Sequence, residues 1–355
     1  MFSTTVLASA FAATATALAG DASTLLAGWA GLPAPGSAGL PAQMSPRGFL
    51  VHTLNGLYFG FILFMIAAGL TIIFGVLGIL NLTHGELYAF GAYTTVTVMG
   101  FLVGLIPPPT DPATQLLFVA VVVLGAILAA AIVLPLGVII ESVFVRQVYD
   151  RHEVYQLLLT FGLLFVLIDT IKLFWGTLPR NVGAVYRGVN AIPTTELVGF
   201  SYPSYQVFVM FIGLIVFAVL VWFFDRTKTG RIVRATAINR EMSTAIGVST
   251  NRVFTLVFGM GAFFAGFAGA MFIGGPAATD LEMGLNPLVL SFVIIVIGGL
   301  GSLQGAFVAA ILVGVVSRWM TAVYPPAELA APFLIMIIVL LVKPEGLFGT
   351  WGEIE

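Results

Sequence analysis

The chain has 355 residues, of which 59% are hydrophobic and only 8% are charged. A soluble domain carries about a quarter of its residues as charged groups, so this composition excludes an ordinary soluble protein and indicates an integral membrane protein. Because the chain holds no cysteine, disulfides, thiolate nucleophiles and thiolate metal sites are excluded, and the three scattered histidines predict no metal centre.

The first 49 residues form a predicted N-terminal extension. Residues 6–19 are apolar and end in Ala17-Leu18-Ala19, the small-x-small form of a signal-peptide cleavage site, but no Lys or Arg precedes Arg47. A removed signal segment, an uncleaved extra helix and a mistaken start codon therefore all stay open. Residues 28–46 are rich in Gly, Pro, Ala and Ser and predict a flexible linker. The predicted division of the chain is 1–49, 50–349 and a short tail, 350–355.

Apolar segments separated by charges and prolines follow the extension. A helix needs about 20 mostly apolar residues to cross a bilayer, and most of these segments reach that length. The sequence therefore predicts an all-α, polytopic bundle of about eight or nine transmembrane helices. The segments are 51–74, 86–106, 115–140, 154–175, 205–224, 253–274, 286–300, 303–323 and 329–342.

The second predicted span is preceded by a glycine-rich polar stretch. Thr83-x-x-Glu86 has the form of a capping box, in which the Thr hydroxyl and the Glu carboxylate satisfy amides at the start of a helix. The surrounding glycines permit a broken helix, which is tolerated at membrane depth where protein or a water-filled cavity receives it. Two interpretations stay open: Asn81, His84 and Glu86 cap a helix at the inner interface, or they line or gate a path.

Other charged residues lie close to predicted span ends. Asp169 and Lys172 share a helical face near the outer boundary and predict an interfacial pair. Glu141 and Arg318 are also expected at the interface. The turn Gly298-Gly299-x-Gly301 predicts close helix packing together with a helix break.

The basic residues predict the orientation of the chain. Residues 225–252 carry six of its fourteen Lys and Arg residues, whereas the 107–114 loop carries none. The positive-inside rule places the basic loop in the cytoplasm and both 107–114 and 176–204 outside, although Arg180 and Arg187 dilute the signal.

The basic loop also predicts a short amphipathic helix. Its end is expected at Gly247, since glycine tolerates the left-handed turn that closes a helix. From its residues alone, such a helix either lies on anionic headgroups or docks into a groove of a cytoplasmic partner. Its apolar residues at helical spacing are Ile232, Ala235, Ile238, Met242, Ala245 and Ile246.

Several blocks together resemble a known family. They are NLTHGE at 81–86 with GAY at 91–93, GRIVRATAINREMSTAIGVSTNRV at 230–253, VIGGLGSLQGAFVAAILVG at 296–314 and LVKPEGLFG at 341–349. In this order and spacing they resemble the permeases of branched-chain amino acid ABC importers, a family that also contains urea and amide permeases. The resemblance covers roughly residues 50–349. Arg234-Ala235-Thr236-Ala237 stands where the general importer loop has Glu-Ala-Ala, a form that looks typical of this subfamily.

The resemblance implies a membrane subunit of an ATP-driven importer for branched-chain amino acids or related solutes such as urea, amides or organic acids. The implied partners are a second related permease, two ATPase subunits, a periplasmic or extracellular binding protein and membrane lipid, with no nucleic acid. ATP and Mg are expected on the ATPase subunits, and the chain agrees because it has no Gly-Lys pair for a P-loop. The implied location is the inner (plasma) membrane of a prokaryote.

The resemblance also assigns roles to residues. It implies that Arg234, Ala237, Glu241 and Gly247 couple the permease to the ATPases, and that Asn81, His84 and Glu86 belong to the path or gate. A cytoplasmic coupling helix with no catalytic residue is expected. A secondary transporter or channel working without ATP is the alternative, disfavoured here because no carboxylate is predicted at the centre of a span. An intramembrane enzyme is a third possibility, but His84 has no evident nucleophile partner in the sequence.

Overall fold

A computed structural model describes residues 46–106, 111–190, 202–275 and 277–349. The predicted signal segment, nearly all of the linker and the tail lie outside these residues. Within them the chain forms twelve α-helices, numbered here in chain order. They are α1 Pro46–Leu77, α2 His84–Val103, α3 Pro112–Ile139, α4 Glu153–Trp175, α5 Gly183–Asn190, α6 Ser204–Arg226, α7 Lys228–Ile238, α8 Arg240–Ala245, α9 Thr250–Ile273, α10 Leu285–Gly298, α11 Leu303–Val323 and α12 Ala330–Val342.

Nine of these helices occupy the nine predicted apolar segments, so the expectation of a polytopic helical bundle is confirmed. Seven helices within the described residues are long and apolar enough to cross a membrane, whereas α10 and α12 have 14 and 13 residues. The first helix begins at Pro46, inside the segment predicted as a linker. A π-helical turn, Ile140–Phe144, and a 3₁₀ turn, Val145–Val148, extend α3.

Helices α1 and α9 form the centre of the bundle. In each of them 72% of the most apolar window is buried, compared with 17% in α6. Small residues allow the central helices to approach closely, as is usual where lipid provides no hydrophobic driving force between helices. A Cβ atom on Gly314 of α11 would lie 2.5 Å from the Cα atom of Gly60 in α1. Gly269 of α9 likewise faces the backbone of Tyr88 in α2.

The two ends of the bundle differ in charge. Helices α7 and α8 lie between α6 and α9 and carry most of the basic residues of the 225–252 loop, so we call this the basic end. The glycine turn that joins α10 to α11 also lies there, because Gly301 lines one cavity with Arg234 of α7. A Cβ on Gly75, close to the C-terminus of α1, would be 2.9 Å from the Cα of Gly301. Helix α1 therefore runs from the opposite end to the basic end.

Helices α2 and α10 both begin inside the bundle rather than at either end. The His84 side chain at the start of α2 contacts the carbonyl oxygen of Ile66, which precedes the end of α1 at Leu77 by 11 residues, or roughly 16 Å of helix. The start of α10 touches the start of α2, since a Cβ on Gly284 would lie 2.5 Å from the carbonyl oxygen of Gly85. The two helices then diverge, α2 toward the opposite end and α10 toward the basic end.

Candidate functional site: an interior junction and a docking segment

The meeting point of α2 and α10, which we call the junction, consists of backbone in direct contact. Gly85 packs against the carbonyl group of Gly284, and a Cβ atom at Gly85 would also lie 2.8 Å from the Cβ of Leu288. Two helix N-termini, each carrying partial positive charge, are therefore brought together within the bundle. Discontinuous helices that meet inside a membrane domain are a recurring way to build a transport pathway.

Three of the predicted site residues lie in or beside the junction, and all three are fully buried. Nε2 of His84 is 3.0 Å from the carbonyl oxygen of Ile66, so that nitrogen carries the donated proton. Among the described residues, Nδ1 of His84, Nδ2 of Asn81 and both carboxylate oxygens of Glu86 have no hydrogen-bond partner. The Glu86 carboxylate faces α10, because a Cβ on Gly284 would lie 2.8 Å from Glu86 Oε1.

These positions correct three expectations. The capping box is wrong: Thr83 makes no cap bond, and its hydroxyl donates instead to Oδ1 of Asn81. The start of α2 lies within the bundle and not at the inner interface. The argument against a secondary transporter also loses weight, because Glu86, although it is only the third residue of α2, is buried beside the middle part of α1. A polar group buried at this depth is costly, which makes Glu86 a functional candidate.

The predicted amphipathic helix of the basic loop is two helices, α7 and α8. Asn239 separates them with extended backbone, and its side chain accepts a hydrogen bond of 2.8 Å from the amide of Met242, as an N-cap residue does. Gly247 follows α8 with a φ of +90°, a conformation that favours glycine. We call residues 228–247 the docking segment.

Three large apolar side chains of the docking segment are mostly exposed. Ile238, Met242 and Ile246 are 62%, 61% and 72% exposed, whereas the buried residues of α7 are Gly230, Val233 and Thr236. An exposed apolar stripe beside basic residues matches both interpretations of this loop, a headgroup surface and a partner surface.

A cavity of about 660 Å³ lies between α7 and the bundle. Arg234 and Ala237 line it together with Gly301, so the structure brings these three predicted residues close to one another. Arg234 turns back toward the bundle and forms an ion pair of 2.6 Å with Asp225 at the end of α6. Glu241 is exposed on α8 and does not line this cavity.

The glycine turn after α10 combines a helix break with close packing. Gly299 and Gly301 have φ values of +99° and +80°, and Gly298 packs against Gly305 of α11. The segment after α12 closes over this turn, because the amide of Leu347 donates to the carbonyl oxygen of Ile297 at 2.8 Å. Two of the sequence blocks that carry the family resemblance therefore meet at the basic end.

The remaining membrane charges are paired. Asp169 and Lys172 form an exposed ion pair of 2.9 Å, and Arg318 lies 3.2 Å from Glu328. Glu141 is also paired, with Arg146, but unlike these residues it is fully buried within the protein. Sequence reasoning also missed Asp225 and Gly284, and the only signal for Gly284 was the general density of small residues. Gly85 is one of the glycines predicted to permit a broken helix.

Comparison with known proteins identifies the chain. A family model described as the permease component of the branched-chain amino acid transport system matches residues 52–342. The chain belongs to this family. It is 27% identical to the high-affinity branched-chain amino acid transport permease LivH of Salmonella typhimurium, over 85% of this chain and 96% of LivH. It is 26% identical to BraD of Pseudomonas aeruginosa, again over 85% and 96%.

The permease LivM of Salmonella typhimurium is also similar, at 26% identity over 80% of this chain and 67% of LivM. Membership of this family makes the chain a multi-pass membrane transporter subunit rather than an enzyme. The junction and the docking segment both lie inside the matched region.

Proposed function

We propose that this chain is one membrane-spanning subunit of an ATP-driven importer for branched-chain amino acids or related small solutes such as urea, amides or organic acids. A second, related permease would complete the membrane domain, and two ATPase subunits that bind ATP and Mg would attach at the basic end. A periplasmic or extracellular binding protein would deliver the solute to the opposite end. The basic end then faces the cytoplasm, and the membrane is the inner membrane of a prokaryote.

The exposed apolar stripe of the docking segment is the observation that carries this proposal. Helices α7 and α8 bury Gly230, Val233, Thr236 and Ser243 against the bundle, and Ile238, Met242 and Ile246 stay exposed for a partner. An ATPase groove that receives these side chains would move α7 as its own conformation changes. Arg234 and Ala237 on the inner side of α7 would pass that movement to the bundle, and Glu241 and Gly247 would set the position of α8.

Movement of the docking segment would drive alternating access at the junction. The unpartnered groups of Asn81, His84 and Glu86 include donors and acceptors, as recognition of a polar solute requires. Solute release requires that these contacts differ in strength between the two states of the bundle.

Co-purification tests the proposal. The chain is expressed together with the permease and the ATPases encoded beside its gene, and the complex is isolated through a tag on this chain. We expect the ATPases to remain bound and a matched variant, Met242→Asp with Ile246→Asp, to lose them while still inserting into the membrane. Solute uptake by the chain alone in vesicles without ATPases would overturn the proposal.

The buried Glu86 carboxylate supports one other candidate function, ion-coupled transport without ATP, since such transporters place carboxylates at membrane depth. An imposed proton or sodium gradient across vesicles that contain only this chain distinguishes the two. Uptake driven by the gradient would favour the secondary transporter.

A further inference from the structure

Glu141 lies in a part of the chain to which the proposed function gives no role. It is on the π-helical turn that follows α3 at the basic end, and its side chain is fully buried. In a π turn the backbone bonds residue i to residue i+5. Arg146 follows Glu141 by five residues and therefore lies next to it in space. Single π turns inserted in helices are frequent at functional sites.

Both oxygens of the Glu141 carboxylate are occupied by donors. Oε1 accepts from Nε of Arg146 at 3.2 Å and from the hydroxyl of Tyr149 at 2.8 Å. Oε2 accepts from Nη2 of Arg146 at 2.9 Å and from the hydroxyl of Thr255 at 2.7 Å. Burial and the hydrogen bond to Glu141 raise the pKa of Tyr149, which keeps its hydroxyl protonated as a donor. Because Thr255 belongs to α9, this cluster fastens the end of α3 to the first turns of α9.

A chain of contacts leads from this cluster to the docking segment. The Tyr149 ring packs edge-on against Phe254 of α9, with ring centroids 5.2 Å apart. The guanidinium of Arg240, the first residue of α8, lies over the ring of the same Phe254, 4.9 Å from its centroid. Three consecutive contacts therefore join a surface residue of the docking segment to a carboxylate buried in the bundle.

The helices that meet at this cluster pack on each other, and α3 also packs on α2, the helix that begins at the junction. Gly137 of α3 packs on Ala262 of α9, and Gly125 of α3 faces Met99 of α2. A buried carboxylate with four donors resists local bending, because any displacement leaves charged or polar groups without partners. A displacement of α8 would thus move α3 and α9 together instead of being absorbed at their ends.

We propose that Glu141, Arg146, Tyr149 and Thr255 form a joint that transmits movement of α8 to α3 and α9, with Arg240 and Phe254 as its outer contacts. These are positioning residues that do not touch the solute. The inference rests on the proposed function, since it assumes an ATPase that moves the docking segment.

The test measures solute transported per ATP hydrolysed by the complete complex in vesicles. Tyr149→Phe removes one hydroxyl and keeps the ring, and Thr255→Val removes the other donor. Each is expected to lower this ratio by at least about 5-fold while assembly and basal ATP hydrolysis persist. Thr255→Ser, which retains the hydroxyl, should restore the ratio, and Asp169→Asn at the opposite end serves as a control with a normal ratio.

A double variant tests the path of contacts. If Arg240→Ala and Tyr149→Phe interrupt the same connection, their combined effect should be no larger than the stronger single effect. The proposed joint would be overturned if the fold-loss in the double variant equalled the product of the two single losses. It would also be overturned by an unchanged ratio in Tyr149→Phe and Thr255→Val. Failure of the unaltered chain to bind any ATPase would instead overturn the proposed function.

Discussion

Gly247 shows how one backbone conformation can set the position of a surface helix. Its φ is +90°, and no atom lies within 4 Å of a Cβ placed there. A Cβ there would meet no neighbouring element, but the backbone of a valine would be strained by about 1–3 kcal/mol, which favours a different path for the chain after α8. We expect Gly247→Val to insert normally and to lower solute-stimulated ATP hydrolysis roughly 5-fold or more.

The matched control for this prediction is Gly162→Val in α4. Nothing lies within 4 Å of a Cβ at Gly162 either, but its backbone is ordinary helix, so the strain at Gly247 is isolated from the change in size. Normal stimulation in Gly247→Val would remove that residue from the coupling assignment.

Substitution of Glu86 is expected to change solute uptake without changing the stability of the protein. Since neither carboxylate oxygen has a partner among the described residues, Glu86→Gln breaks no described hydrogen bond. We expect an unchanged thermal unfolding midpoint but an uptake rate about 10-fold lower, because a hydrogen bond to a charged group contributes about 1.5–3 kcal/mol. Glu328→Gln, which breaks a partly exposed ion pair, is the control for uptake. Wild-type uptake in Glu86→Gln would exclude this carboxylate from the path.

At the scale of whole helices, the contact between α9 and α2 depends on the absence of a side chain. A Cβ at Gly269 would overlap the carbonyl oxygen of Tyr88 and lie 2.9 Å from the amide nitrogen of Ala92. Gly269→Ala must push the helices apart, at a cost of about 1–3 kcal/mol. The thermal unfolding midpoint in detergent should fall. Gly100→Ala, on an open face of α2, should leave it unchanged or raise it, and equal midpoints in the two variants would contradict this packing.

The sequence predicts where the membrane-spanning helices lie along the chain better than it predicts the depth at which each one begins. Bilayer thickness sets the length of a span, so apolar length, with charges and prolines as separators, predicts nine helices, including α11 at its observed bounds. The same signal could not show that α2 begins inside the bundle, because its 20 residues have the length of an ordinary span. The depth of Glu86 follows from how α2 packs against α1 and α10, which no pattern within α2 reports.

The docking segment and Glu141 illustrate two further limits. Helical periodicity predicted the apolar stripe of the docking segment but not the break at Asn239, although asparagine is a common N-cap residue. The position of Glu141 near the end of a span predicts an interfacial residue but not its complete burial. A π turn has no comparable sequence signal, and the turn is what brings Arg146 and Tyr149 to this carboxylate.

The whole molecule has a topology that a single chemical experiment can test. Helix α1 runs toward the basic end and α12 returns to it, so the described chain starts at one end and finishes at the other. The two helices that begin at the junction still carry the chain from one end of the bundle to the other. The segment before each helix enters the bundle from the end opposite to the one at which that helix finishes. Six of the fourteen Lys and Arg residues lie in residues 225–252, so the positive-inside rule predicts that the basic end faces the cytoplasm.

Because the chain contains no cysteine, single introduced cysteines report accessibility without background. Leu178→Cys, at a position 75% exposed at the opposite end, should react with an impermeant thiol reagent added outside intact cells. Thr229→Cys, exposed on α7, should react only after the membrane is permeabilised. The fully buried Phe64→Cys should stay unlabelled in both conditions. Labelling of Thr229→Cys in intact cells would reverse the orientation and put the docking segment out of reach of any cytoplasmic ATPase.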